Sequence, residues 1–141
     1  MPVVDTSAWS LALRRPTTIF TPREADIRDA LKSFTTTGQA ILIGAVRQEL
    51  LSGIRDIQVF TRQREWLSDM DDEPCSIADH ERAAEFSNEL RRRGMQPDPV
   101  DMLVCAVASR LEMPILTTDP DFERYAAHLP ITLHELSRRT Q

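Results

Sequence analysis

Three short apolar runs, Pro2-Val3-Val4, Ala40-Ile41-Leu42-Ile43 and Pro114-Ile115-Leu116-Thr117-Thr118, stand apart from one another, with long stretches of helical spacing between them. A continuous apolar run of this length suits a strand covered on both faces. Crossings too long for a hairpin bring each strand back in the same direction. The alternation therefore predicts an α/β chain: a central, mainly parallel sheet of about four to five strands with helices on both faces. Pro74 to Ile77 reads as a weaker third strand, and Leu129 to Leu133 as an edge strand.

The helical segments carry their own punctuation. A helix from Thr6 to Leu13 follows the first strand, and Thr21-Pro22-Arg23-Glu24 forms a capping box that opens a helix to about Phe34. Val46 to Ile54 has helical spacing, as does Ile57 to Met70, which carries Phe60 and Trp66. A polar helix from Asp79 to Arg93 stops at Gly94. Pro97 and Pro99 exclude regular structure in the loop between them, and Pro99 can start a helix to about Glu112. Asp119-Pro120 opens a short helix through Tyr125.

A chain of 141 residues buries roughly 70% of its extended surface, enough for one core. With no repeat, low-complexity tract or Gly/Ser linker, residues 1–141 read as a single domain. The first residues lack a basic, apolar leader, and the longest apolar run, Met102 to Ala108, is too short to span a bilayer. The expected setting is cytoplasmic, away from membranes. Cys75 and Cys105 lie in no metal-ligand or CxxC spacing and read as reduced, buried thiols without a chemical role. A formal charge of -5 argues against a sequence-indifferent nucleic-acid binder, whose affinity comes from Lys and Arg displacing counterions. If four of the acids surround a cation, though, the remaining surface is nearly neutral. All of the basic residues but Lys32 are arginines, which suit bidentate phosphate contacts.

Four acids, Asp5, Glu49, Asp101 and Asp119, fall where a strand ends or a helix begins. In an open parallel sheet such places gather at the carboxyl ends of the strands, where ligands bind. Asp5, Asp98 and Asp119 also suit helix N-caps, which on its own would explain each of them. Glu49, between Val46 and Leu50, is expected on the face that packs against the sheet. Asp101 precedes the almost wholly apolar Met102 to Ala108 and has no basic neighbour within a turn. A carboxylate in such a place needs a partner. Two of them about 4 Å apart repel by about 4 kcal/mol at an effective dielectric of 20, so a cluster must be protonated or bind a cation. Oxygen donors without His or Cys select a hard cation, Mg²⁺ or Mn²⁺. His80, His128 and His134 stand outside these positions.

Together, Asp5-Thr6-Ser7-Ala8-Trp9, Val46-x-x-Glu49-Leu50-x-x-Gly53, Asp101-x-Leu103-Val104-x-Ala106-x-Ala108 and Thr117-x-Asp119-x-Asp121-Phe122 resemble the motifs of a PIN domain, in order and nearly end to end. The small size and spacing are similar to those of VapC-type toxins of bacterial toxin-antitoxin pairs. The resemblance implies a three-layer PIN-like fold and a Mg²⁺- or Mn²⁺-dependent endoribonuclease in which Asp5, Glu49, Asp101 and Asp119 hold the metal. Thr6 or Ser7 would support Asp5, with Thr117 of the last motif also supporting and Asp121 as a ligand through water or a helix-start residue. It further implies a homodimer, an RNA substrate and a cognate antitoxin. For RNA contact the candidates are Arg47, Arg55 and the run Arg91-Arg92-Arg93, although cations at a helix C-terminus are favoured anyway. The helix with Ile57, Phe60 and Trp66 could supply dimer area.

Two other enzyme or signalling classes lose a required group. A phosphatase-like hydrolase of the haloacid dehalogenase type needs a second Asp where this chain has Ser7, and a phosphoacceptor receiver needs a lysine after its last strand, whereas Lys32 is early. A non-catalytic module whose acidic groove receives a basic peptide remains an alternative, but such a groove does not require acids set against the core.

Overall fold

The computed structural model describes residues 1–14 and 18–138. Among the described residues, four two-residue strands, β1 (Val3–Val4), β2 (Leu42–Ile43), β3 (Asp72–Glu73) and β4 (Ile115–Leu116), are interspersed with seven helices. Val3 lies opposite Ile115 and Val4 opposite Leu116, while Leu42 and Ile43 face Asp72 and Glu73. Bridges from Val3 to Ile41 and from Ile115 to Leu133 join these pairs, so the neighbours run β3, β2, β1, β4 and then Leu133. Every one of these pairings is parallel. The strand order reverses direction at β1, and the crevice beyond the carboxyl ends of β1 and β4 is the place where such a sheet takes its ligands.

The helices are α1 (Thr6–Leu13), α2 (Pro22–Thr36), α3 (Gly44–Leu51), α4 (Ile57–Leu67), α5 (Ile77–Arg92), α6 (Pro99–Leu111) and α7 (Asp121–Ala126), followed by a 3₁₀ turn, Glu135–Ser137. α1 packs on α2 and α3, whereas α6 packs along α5 and touches β1 and β4. Their caps follow the sequence. The Thr21 and Glu24 box is formed at α2, Pro99 sits in the first turn of α6 behind its N-cap Asp98, and Gly94 takes the left-handed conformation just beyond α5. The core centres on α6: Met102, Val104, Cys105, Ala106, Val107 and Ala108 are all buried. Among the described residues no helix is long and apolar enough to cross a membrane.

Three boundaries differ from expectation. The third strand is Asp72–Glu73 rather than Pro74 to Ile77, because Ser76 and Asp79 build a second capping box that commits Ile77 to α5. Leu129 to Leu133 contributes one bridge at Leu133. α3 begins at Gly44 and ends at Leu51, leaving Gly53 in the following turn at φ 84°.

An ion pair fixes the start of α5. Asp79 is buried, and Arg110 Nε donates to its Oδ1 at 2.8 Å while Arg110 also reaches Pro74 O. Burial alone would raise the Asp79 carboxyl, but the Arg110 and Ser76 bonds hold it below its usual range. Its stabilising effect is therefore present above the ordinary carboxylate pKa and fades as pH falls through the lowered one. Arg110→Ala leaves a buried carboxylate with one partner fewer and is expected to lower stability by about 2 kcal/mol at pH 7, less at pH 3. Urea unfolding at the two pH values checks both the size and the sign.

Candidate functional site

The site begins where β1 stops. Asp5 takes an extended conformation as the N-cap of α1, and its backbone N–H donates to Leu116 O at 2.9 Å, fixing it beside the end of β4. The carboxylate is buried, 3% exposed, and its Oδ2 accepts from Ser7 Oγ at 2.7 Å and from Thr117 Oγ1 at 2.8 Å. The two hydroxyls lie 3.1 Å apart. Each also accepts a backbone bond, Ser7 Oγ from Thr118 N–H at 2.9 Å and Thr117 Oγ1 from Asp119 N–H at 3.0 Å. Thr117 N–H in turn donates to the buried Ser137 Oγ, so the C-terminal 3₁₀ turn braces the end of β4.

Asp119 and Asp101 complete the inner group. Asp119 Oδ1 accepts from Asp121 N–H at 2.9 Å and so opens α7. Asp101 stands in the first turn of α6, where Asp98 Oδ1 caps the N–H groups of Val100 and Asp101. The Asp101 side chain is also buried, 8% exposed, and its Oδ2 accepts from Tyr125 Oη at 3.1 Å.

The electrostatics show that these carboxylates share one place. The Asp101 carboxyl is pushed up to about 8, first by burial, then by the charges of Asp5 and Asp98, with the Tyr125 bond opposing and Asp119 adding to the rise. Burial raises Asp5 as well, against the Ser7 and Thr117 bonds that favour its ionised form. Cys105 is driven up by burial and by the Asp101 and Asp5 charges, which keeps its thiol protonated and inert. Cys75, half-buried and likewise raised by burial, is not in a strand.

Among the described residues no three His, Cys, Asp or Glu side chains already stand at coordination spacing. The chemistry of the donors nonetheless fits a hard cation: three aspartates with no imidazole or thiolate taking part, two of them desolvated. The hydrogen bonds above fall on a single oxygen of each, Oδ2 of Asp5, Oδ2 of Asp101 and Oδ1 of Asp119, and each carboxylate has a second.

Two sequence expectations fail on geometry. Glu49 is exposed and makes no hydrogen bond or ion pair among the described residues, instead of lying on the packed face. α3 buries Val46 and Leu50, with Arg47 and Leu51 half-covered, so the packed stripe is centred about 130° from Glu49. Gly53, four residues beyond Glu49 and within the helical spacing read from Val46 to Ile54, is not part of the helix. Arg47 is not available to RNA: its Nε donates to Asp72 Oδ1 and its terminal nitrogens to Leu67 O and Met70 O, clamping α3 to the end of α4. Arg92 and Arg93 both pair with Glu89, whereas Arg55 and Arg91 are exposed without an ion pair among the described residues.

The supporting residues divide as well. Ser7 and Thr117 hold Asp5, but the Thr6 hydroxyl is buried with no hydrogen-bond partner among the described residues. Asp121 opens α7 and pairs with Arg124. Tyr125 and Ser137 lie outside the sequence motifs; both reach the site from positions distant in sequence from the groups they hold. A cavity of about 430 Å³, lined in part by Met1, Leu42, Asp69, Met70 and Met113, lies at the amino-terminal ends of the strands and includes none of these acids.

The PIN domain family model matches residues 3–128. The crystal structure of FitAcB from Neisseria gonorrhoeae is similar in fold, with a TM-score of 0.72 and 16% sequence identity over 96% of this chain and 98% of that one. No curated protein matches this chain. The parallel sheet, the acids at the ends of β1 and β4 and a family match that spans most of the sequence agree: this chain belongs to the PIN domain family.

Proposed function

We propose that the chain is a Mg²⁺- or Mn²⁺-dependent endoribonuclease and serves as the toxin of a toxin-antitoxin pair. One observation carries the reading: Asp5, Asp101 and Asp119 are directed to the same end of the sheet, where the Asp101 charge is so poorly supported that its carboxyl is raised to about 8. Family membership agrees with it, since PIN domains are generally nucleases. Asp5, Asp101 and Asp119 would hold the cation, and Glu49, exposed on α3, would join from solvent when the cation binds.

When bound, the cation supplies Lewis-acid polarisation of a phosphodiester and a more acidic water. This chain's own side chains do the rest. Ser7 and Thr117 favour the ionised form of Asp5 against the rise from burial and fix its angle, and the Asp121 N–H fixes Asp119. Of the candidate arginines, the exposed Arg55 and Arg91 would meet RNA phosphates. A cognate antitoxin presenting a basic side chain to the acids would block the same place. In a homodimer α4 would contribute area, since Ile57 is 80% and Trp66 37% exposed, the latter edge-on to Trp9.

The test is cleavage of total cellular RNA with Mn²⁺ and with a chelator, with new ends mapped and Asp5→Asn as the control for contaminating nuclease. Discrete cuts that vanish on chelation and in the variant are expected. A folded, metal-loaded wild type that cuts no more than the control would instead favour an acidic groove that receives a basic peptide.

A further inference from the structure

α7 touches two of the three inner carboxylates, one from each end. At its start the Asp121 N–H holds Asp119, and one turn later Tyr125 reaches Asp101 across 24 residues of sequence. Tyr125 is buried, and its ring meets Phe122 edge-on with centroids 5.2 Å apart and planes at 72°. That packing accounts for the ring but not for the hydroxyl, which lies on the Asp101 carboxylate with the Asp98 backbone beside it. Aspartate in the first turn of a helix can rotate about two side-chain bonds, and a single donor on one oxygen removes that freedom. The geometry points to Tyr125 as a positioning residue that aims Asp101 at the cation, a role that rests on the metal-site reading above. The contact sets the distance between Asp101 and Asp119 as well as the angle of Asp101, because the same short helix carries both tethers.

Tyr125→Phe keeps the ring and removes only the hydroxyl. Loss of a group that orients a metal ligand typically weakens binding about 10- to 100-fold. Calorimetric titration of the full chain with Mn²⁺ alone is therefore expected to show at least a tenfold weaker Kd for Tyr125→Phe, with the metal-free melting temperature lower by only about 3 °C, the usual effect of one lost hydrogen bond. Equal affinity in the two proteins overturns the role of the tyrosine and leaves the metal site standing. A wild type that takes up no Mn²⁺ overturns the metal site and the tyrosine's role together. Should the variant melt early, the wild-type chain decides. Its single tyrosine can be replaced biosynthetically by 3-fluorotyrosine. A fluorine resonance that moves and saturates with Mg²⁺, but stays fixed in Asp101→Asn, upholds the assignment, and one that does not respond at saturating Mg²⁺ overturns it.

Discussion

Asp101→Asn is expected to make the metal-free protein more stable while removing the proposed cleavage activity. The carboxyl is raised to about 8 in the fold, against about 3.9 in an unfolded chain. Between those values the folded state holds a proton that the unfolded state has lost, so stability falls as pH rises from about 4 to about 8 and then levels off. Asparagine has no proton to lose and can still accept from the Tyr125 hydroxyl. At pH 7.5 in chelator the variant should therefore gain about 1–3 kcal/mol, roughly 3–10 °C in melting temperature, with almost no gain at pH 4. Saturating Mn²⁺ reverses the ranking. Wild type at about 1,000 times its Kd gains about 4.1 kcal/mol, and the variant gains little. Cleavage by the variant should fall about 100- to 1,000-fold, the usual effect of removing one well-placed electrostatic group. Calorimetric melts at two pH values, with and without Mn²⁺, check the whole pattern. A variant less stable than wild type at pH 7.5 without metal would make Asp101 a structural carboxylate.

The site is legible in the sequence to the extent that local rules fix it. Val3-Val4 and Ile115-Leu116 end at an acid and at Thr117, so apolar runs alone place Asp5 and the Thr117 to Asp119 turn at strand ends. Asp98, Pro99 and the apolar run after them fix α6 and hence Asp101. Glu49 escapes such rules because α3 is short: the two buried positions, Val46 and Leu50, leave the direction of the packed stripe open, and Gly53 weights it wrongly. Arg47 looks free in sequence because its partners come from Leu67, Met70 and Asp72, at least 20 positions away. Tyr125 and Ser137 escape for the same reason. The one signal for Tyr125 is a buried-type aromatic with a polar tip, four residues beyond Asp121 on the helix opened by the last acidic motif. Periodicity assigns a face within one element, but it does not say which side chains meet between elements.

Thr117→Val tests whether the inner acids work as one unit. Valine matches threonine closely in shape, so the buried position stays filled. What is lost is a hydroxyl that donates to Asp5 Oδ2 at 2.8 Å and accepts from Asp119 N–H at 3.0 Å. Asp5 then keeps the Ser7 contacts and the Thr6 backbone bond in a buried place, and the Asp119 N–H is left without its acceptor. A destabilisation of about 2–3 kcal/mol is expected from two bonds lost at once, read by urea unfolding. The functional loss should be about 100-fold in cleavage, because Asp5 and Asp119 lose the group that ties one to the other. Since the Thr117 bond lowers the Asp5 carboxyl against the rise from burial, its removal should also move Mn²⁺ binding to higher pH. Thr117→Ser keeps the hydroxyl and should retain most of the activity. Combined with Ser7→Ala, Thr117→Val should deviate from additivity by about 1 kcal/mol, since Ser7 Oγ sits 3.1 Å from Thr117 Oγ1 and shares the same carboxylate oxygen. Strict additivity would mean that the two hydroxyls hold Asp5 independently, and the carboxylates would then have to be treated as separate ligands rather than as one network.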